Sequence, residues 1–103
     1  MQGIRGIITL VSTVFRPNPG FIMREIAGEA LLVPVGAQTR IMNGMITLTQ
    51  TGSFLWKAMD GKRTVMELTV LLAEECSVSP DAILDDVIAF LDKAEKNGLI
   101  VKI

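Results

Sequence analysis

The hydrophobic period of this chain changes from 2 to 3.6 at residue 50, and that change limits the folds open to it. Upstream, FIMREI (21–26) and EALLVPV (29–35) are dominated by β-branched and long apolar residues and read as strands. The short connection through Ala27-Gly28 suits an antiparallel hairpin. Residues 36–44 read as a loop ending in Asn43-Gly44, the strongest short turn signal in the chain. MITLT (45–49) then alternates, with Ile46 and Leu48 on one face and Met45, Thr47 and Thr49 on the other. An alternative pairs TRIM (39–42) with MITL (45–48) in a tight hairpin about Asn43-Gly44. Three main strands is the preferred reading.

Downstream the pattern is helical. Gly52, Leu55, Trp56 and Met59 fall at i, i+3, i+4 and i+7, which predicts a helix over about 51–59, capped by Thr49 or Thr51, with Gly61 just past its end. In this reading Trp56 anchors the first helix to the core. Thr64-Val65-Met66-Glu67 fits a capping box, in which hydroxyl and carboxylate each satisfy a free N–H. It opens a second helix with Val65, Leu68, Leu71 and Leu72 facing inward. Ser79-Pro80-Asp81 opens a third, with a cap, a first-position proline and an acid on the positive end of the dipole. That helix runs over 81–97, with Gly98 as a left-handed stop and LIVKI (99–103) as a short closing strand. The order β-β-β-α-α-α defines an α+β, winged helix-turn-helix-like domain: a three-stranded antiparallel sheet followed by three helices. Arg16-Pro17-Asn18-Pro19-Gly20 reads as a turn-rich break between this body and an N-terminal arm. The arm's apolar part, IRGIITLV (4–11), is too short to span a bilayer, which takes ~20 residues, and reads as extended. Only Arg5 supplies positive charge there and no A-x-A-like site follows, so it makes a poor signal peptide.

Composition restricts the chemistry. Half the residues are hydrophobic, enough for a real core, but there is no histidine, no tyrosine and one cysteine. Cys76 excludes an internal disulfide, fits a reducing cytoplasm, and reads as a buried helix-end thiol with no histidine to activate it. A Cys/His zinc site is excluded too. Asp85 and Asp86 are adjacent on a helix and point ~100° apart, so with Asp92 they read as a solvated face and not as metal ligands. Ser53, Ser77 and Ser79 lack a base, and capping accounts for Ser79. The glycines form neither a phosphate loop nor a dinucleotide fingerprint; Gly61-Lys62-Arg63-Thr64 lacks the upstream glycine spacing. The chain reads as a non-enzyme with no cofactor.

Charge then separates the binding alternatives. The net charge is −1, made of an excess of basic residues through residue 63 and of acids beyond it. A helix entering a DNA groove needs basic and hydrogen-bonding side chains. The third helix instead carries Asp81, Asp85, Asp86, Asp92 and Glu95 against Lys93 and Lys96, and the second carries acids and no base. Lys57, Lys62 and Arg63 form only a small patch, so a winged-helix DNA regulator, or a general protein-interaction adaptor, is the runner-up. A surface for polypeptide fits better. An edge strand can accept an extended peptide as an added strand. Ile83, Leu84, Val87, Ile88, Phe90, Leu91 and Ala94 cover more of the third helix than one stripe. They either line a groove or dimer contact, or are wholly buried under the sheet and the other helices. Strand exchange through the arm and the sheet edge leaves a homodimer open to the chain.

Taken in order, Arg24-Glu25, Glu29-Ala30-Leu31-Leu32-Val33, Leu48, Thr51-Gly52, Leu55-Trp56, Asp60-Gly61-Lys62-Arg63-Thr64, Asp86-Val87, Phe90-Leu91 and Gly98-Leu99-Ile100 resemble the PqqD family, the peptide chaperones grouped as RiPP recognition elements. The resemblance spans roughly 16–103. It departs at Thr49, where the family's "LN-x-T-G" has asparagine, and in the segment 36–44. It implies an arm (1–13) followed by a peptide-binding domain (14–103). It further implies a non-catalytic module that binds the leader segment of a ribosomally made precursor peptide. The module would present that leader to a modifying enzyme, often a radical S-adenosylmethionine protein, or to a leader peptidase, with no role for nucleic acid or membrane. Carried over, the resemblance places the leader along the strand edge of Met45, Ile46, Thr47, Leu48 and Thr49. It packs the leader against Leu84, Val87, Ile88 and Leu91 of the third helix. The acidic helix suggests a leader bearing Lys or Arg.

Overall fold

A computed structural model of the chain describes residues 11–41 and 44–103. The reading of residues 4–10 as part of an extended arm, and Asn43 of the turn, lie outside the described residues. The ordered elements are β1 (Phe15–Pro17), β2 (Phe21–Ile26), β3 (Glu29–Pro34), a 3-10 turn (Gly36–Arg40), β4 (Ile46–Leu48), α1 (Gln50–Ala58), α2 (Val65–Cys76), α3 (Pro80–Lys96) and β5 (Ile100–Lys102). Strands β2, β3 and β4 form an antiparallel sheet in that order, and the three helices follow it, as the change of period requires.

The β2–β3 connection is a two-residue loop. Ala27 and Gly28 both have positive φ, 53° and 81°, the hallmark of a type I′ turn, whose twist matches that of the flanking strands. The pairing Ile26↔Glu29 through Phe21↔Pro34 follows. Phe21, Met23 and Glu25 then share the face toward the helices, and Lys57 of α1 reaches back to Glu25 at 3.0 Å.

Caps place the helices. Thr49, not Thr51, caps α1, its hydroxyl accepting from the Gly52 N–H at 3.0 Å. The capping box at α2 is complete: Glu67 N–H donates to Thr64 Oγ1 at 3.1 Å, and Thr64 N–H to Glu67 Oε1 at 2.9 Å. Asp60 organises the turn before it, accepting from the Lys62 and Arg63 N–H groups at 2.9 and 2.8 Å. Ser79 has the extended N-cap backbone of α3 but makes no side-chain capping bond, so proline at the first turn and Asp81 mark that start instead. At the far end Gly98 adopts φ +73°, and the Leu99 N–H closes onto the Ala94 carbonyl at 2.9 Å.

The core lies between the sheet and the helices. Leu32, Leu55 and Leu68 are fully sealed within it, and Trp56 of α1 and Met59 at its C-cap pack there, as their spacing predicts. On α2 the buried stripe is Val65, Leu68, Thr69, Leu72 and Ala73; Leu71, expected inside, is half-exposed. Thr69 sits in the core because its hydroxyl donates to the Val65 carbonyl at 2.8 Å.

Four further expectations are corrected. The turn-rich break begins at Asn18, because Arg16 and Pro17 belong to β1, which pairs with β5 as a separate two-stranded sheet. Asn18 fastens that corner, its Nδ2 donating to the Gly98 carbonyl at 2.8 Å. The hairpin alternative fails because Thr39 and Arg40 lie in the 3-10 turn. Cys76 is exposed, since the Ser77 backbone turns left-handed (φ 56°) and carries the end of α2 into solvent. Val11, the one described residue of the stretch read as extended, is helical together with Ser12, and the strand pairing begins at Val14, which bridges to Thr64.

Candidate functional site

β4 is an edge strand: β3 pairs with one side of it and, among the described residues, no strand pairs with the other. Its register sets Ile46 opposite Leu32 and Leu48 opposite Ala30, so both point toward the helices, while Thr47 points to the other face of the sheet. The C-terminal half of α3 runs beside this edge. Between them lies a groove of about 470 Å³. Ile46, Thr47, Leu48 and Thr49 form one wall, Phe90, Lys93, Ala94 and Asn97 the other, and Leu99 closes the end.

The helix wall is an i, i+3, i+4, i+7 stripe starting at Phe90. Gly52 of α1 makes room for it: an ideal Cβ at position 52 would stand 2.8 Å from Phe90 Cε1 and 3.2 Å from Cζ. The glycine of Thr51-Gly52 therefore lets the α1 backbone support the aromatic ring, which is half-buried at the groove. Asn97 extends the rim, its Nδ2 donating to the Lys93 carbonyl at 2.9 Å. The floor is apolar, and Lys93 is the one charged side chain among the lining residues.

A second concavity of about 350 Å³ lies on the opposite flank of α3, against the β1–β5 pair and the start of α2. Phe15, Val65, Ile88 and Leu91 give it an apolar lining, with Asp85, Asp92 and Glu95 about it and Lys102 as the one basic residue. At ~100° per residue, positions 85, 88, 92 and 95 fall roughly opposite 90, 93, 94 and 97. Asp92 is already held by Lys96 at 3.0 Å.

These two flanks divide the residues expected at the site. Ile46, Thr47, Leu48 and Thr49 line the first groove; Met45 precedes β4 and is 59% exposed. The helix residues do not gather with them. Val87 is fully sealed in the core and Leu91 nearly so, Ile88 and Leu91 border the second concavity, and Leu84 is half-buried and borders neither. Val87 thus supports α3 from beneath and has no surface to give a ligand. Phe90, Lys93, Ala94 and Asn97 take the places opposite β4. Their stripe is written in the sequence, whereas none of the four helix residues carried over from the resemblance lines this groove.

Asp60 has its carboxyl held below the ordinary range, first by the Arg63 N–H and then by the Lys62 N–H, but it belongs to the α2 turn. Among the described residues no buried side-chain polar atom lacks a hydrogen-bond partner, and no group of three or more His, Cys, Asp or Glu is placed to hold a metal. In the basic patch, Lys57 is tied to Glu25, and Arg63 donates to the Ala58 carbonyl at 2.8 Å. No described helix is long and apolar enough to cross a membrane.

Comparison with known proteins adds one finding. The model of the family described as coenzyme PQQ synthesis protein D (PqqD) matches residues 29–100, most of the chain. No curated protein and no solved structure matches.

Proposed function

Because the chain belongs to the PqqD family, we propose that it is a peptide chaperone whose β4–α3 groove takes the leader segment of a ribosomally made precursor as an added strand. Members of this family are non-catalytic accessory proteins of biosynthesis, and membership supports a precursor-binding role in general. The observation that carries the finer reading is the unpaired edge of β4 lying beside an apolar groove. An edge strand offers N–H and C=O groups in a row, so backbone pairing supplies affinity and the pocket beside it supplies selection. Three strand residues at ~3.3–3.4 Å each give about 10 Å of edge, enough to pair with three or four residues of a peptide.

A leader held in this way is presented and not transformed. The partner reading is a modifying enzyme, of the radical S-adenosylmethionine type, or a leader peptidase that acts on the peptide beyond the held segment. Titration with a labelled precursor leader peptide, followed by fluorescence anisotropy, tests the reading. Saturable binding is expected, lost in Asn97→Trp, which places a large side chain at the exposed rim of the groove. Binding of duplex DNA but not of the precursor would overturn it.

A further inference from the structure

We infer that the peptide held in this groove carries a carboxylate two residues from an apolar anchor, read by Lys93; the inference rests on the groove being the peptide site. Ile46, Leu48, Phe90, Ala94 and Leu99 make the groove apolar, so it selects an aliphatic or aromatic side chain. Lys93 is the one charge lining it, and it has no ion-pair partner among the described residues. No acid of α3 lines the groove with it: Asp85, Asp92 and Glu95 border the opposite concavity, Asp92 is paired with Lys96, and Asp81 and Asp86 border neither hollow and make no ion pair with Lys93. The one charge lining the groove beside β4 is therefore positive, although the helix as a whole is acidic. This reverses the preference for Lys or Arg that the helix composition suggests.

Position along the helix sharpens the point. The C-terminal end of a helix carries partial negative charge and would repel a carboxylate. Lys93 and Lys96 sit in that last turn, and Lys93 faces the groove, so the local sign is inverted where the peptide passes. Lys93 lies one turn beyond Phe90, a separation of ~5–6 Å. In an added strand, side chains two residues apart share a face and lie ~6.6–6.8 Å from each other. One apolar residue over the Phe90 side and one Asp or Glu beside Lys93 therefore fit an i, i+2 pair.

The test is a display library of random ten-residue peptides selected on the full chain, in parallel with Lys93→Glu. Peptides enriched on the native chain are expected to carry Asp or Glu two residues from Leu, Ile or Phe. Those enriched on Lys93→Glu should carry Lys or Arg in that place. For a native-selected peptide, changing the acid to its amide should weaken binding about three- to tenfold, less at high salt. Enrichment of the apolar residue without the acid, or equal affinity of acid and amide forms, overturns the charge reading and leaves the groove reading standing. A library that yields no binder, or binders indifferent to Asn97→Trp, overturns both.

Discussion

Gly52→Ala ties local packing to the groove. The new methyl would stand 2.8 Å from Phe90 Cε1, against an ordinary contact beginning at 3.4 Å, so the ring must retreat by roughly 0.6 Å. The other neighbour, the capping Thr49 Oγ1 at 3.3 Å, has little room to yield because it holds the Gly52 N–H. Two effects oppose each other. Alanine gains up to ~1 kcal/mol over glycine in a helix, less in the first turn, whereas overpacking costs about 1–3 kcal/mol. The clash should win, giving a loss of about 0.5–2 kcal/mol in urea unfolding. Peptide affinity should fall about tenfold, because the displaced ring forms the groove wall. In a Phe90→Leu background the clash is gone, and the same glycine-to-alanine change should turn neutral or stabilising. That reversal of sign in a double-mutant cycle is the decisive reading. If Gly52→Ala stabilises the native chain by about 1 kcal/mol and leaves binding unchanged, the ring is not held where this account requires.

Val87→Asp would place an unpaired carboxylate in a sealed core position, and loss of the helical circular dichroism signal is expected, not a selective loss of binding. Thr64→Ala removes one half of the capping box at α2 and should cost about 1 kcal/mol in urea unfolding. The Asp60 carboxyl is depressed below its ordinary 3.8 by the Arg63 and Lys62 amides, so its stabilisation is complete above that value and is lost as pH falls through the lower folded one. Asp60→Asn, which keeps an acceptor without the charge, should flatten the decline in stability below about pH 4, measured by thermal unfolding across pH.

Local signals made much of the fold legible. The Thr64–Glu67 box, the Gly98 stop and the Ala27-Gly28 turn are each decided by residues within a few positions of one another. The β1–β5 sheet was not legible, since Arg16 meets Val101 across almost the whole chain and no local pattern announces that pairing. Pro17 made it harder, reading as a breaker although proline is tolerated in edge strands. Of the candidate groove, the β4 wall was legible and the helix wall was not. Alternation marked the β4 side, because a strand has two faces and the pattern says which is which. A helix bordered by the core and by two separate hollows has no such simple division. Val87, Ile88, Phe90 and Leu91 are all apolar, yet one is core, one faces the acidic flank, one lines the groove and one is shared between core and flank. Period 3.6 assigns residues to stripes but does not say which neighbour each stripe meets.

The most direct test of peptide capture at β4 is amide hydrogen exchange and chemical-shift mapping by NMR as the precursor peptide is added. New amide protection should appear at alternate residues of β4, those whose N–H groups face the free edge, with shifts at Phe90, Lys93 and Asn97 and none at Asp85, Ile88 or Glu95. Protection confined to β2, or shifts gathered at Asp85, Ile88 and Glu95 with β4 unchanged, would contradict the account.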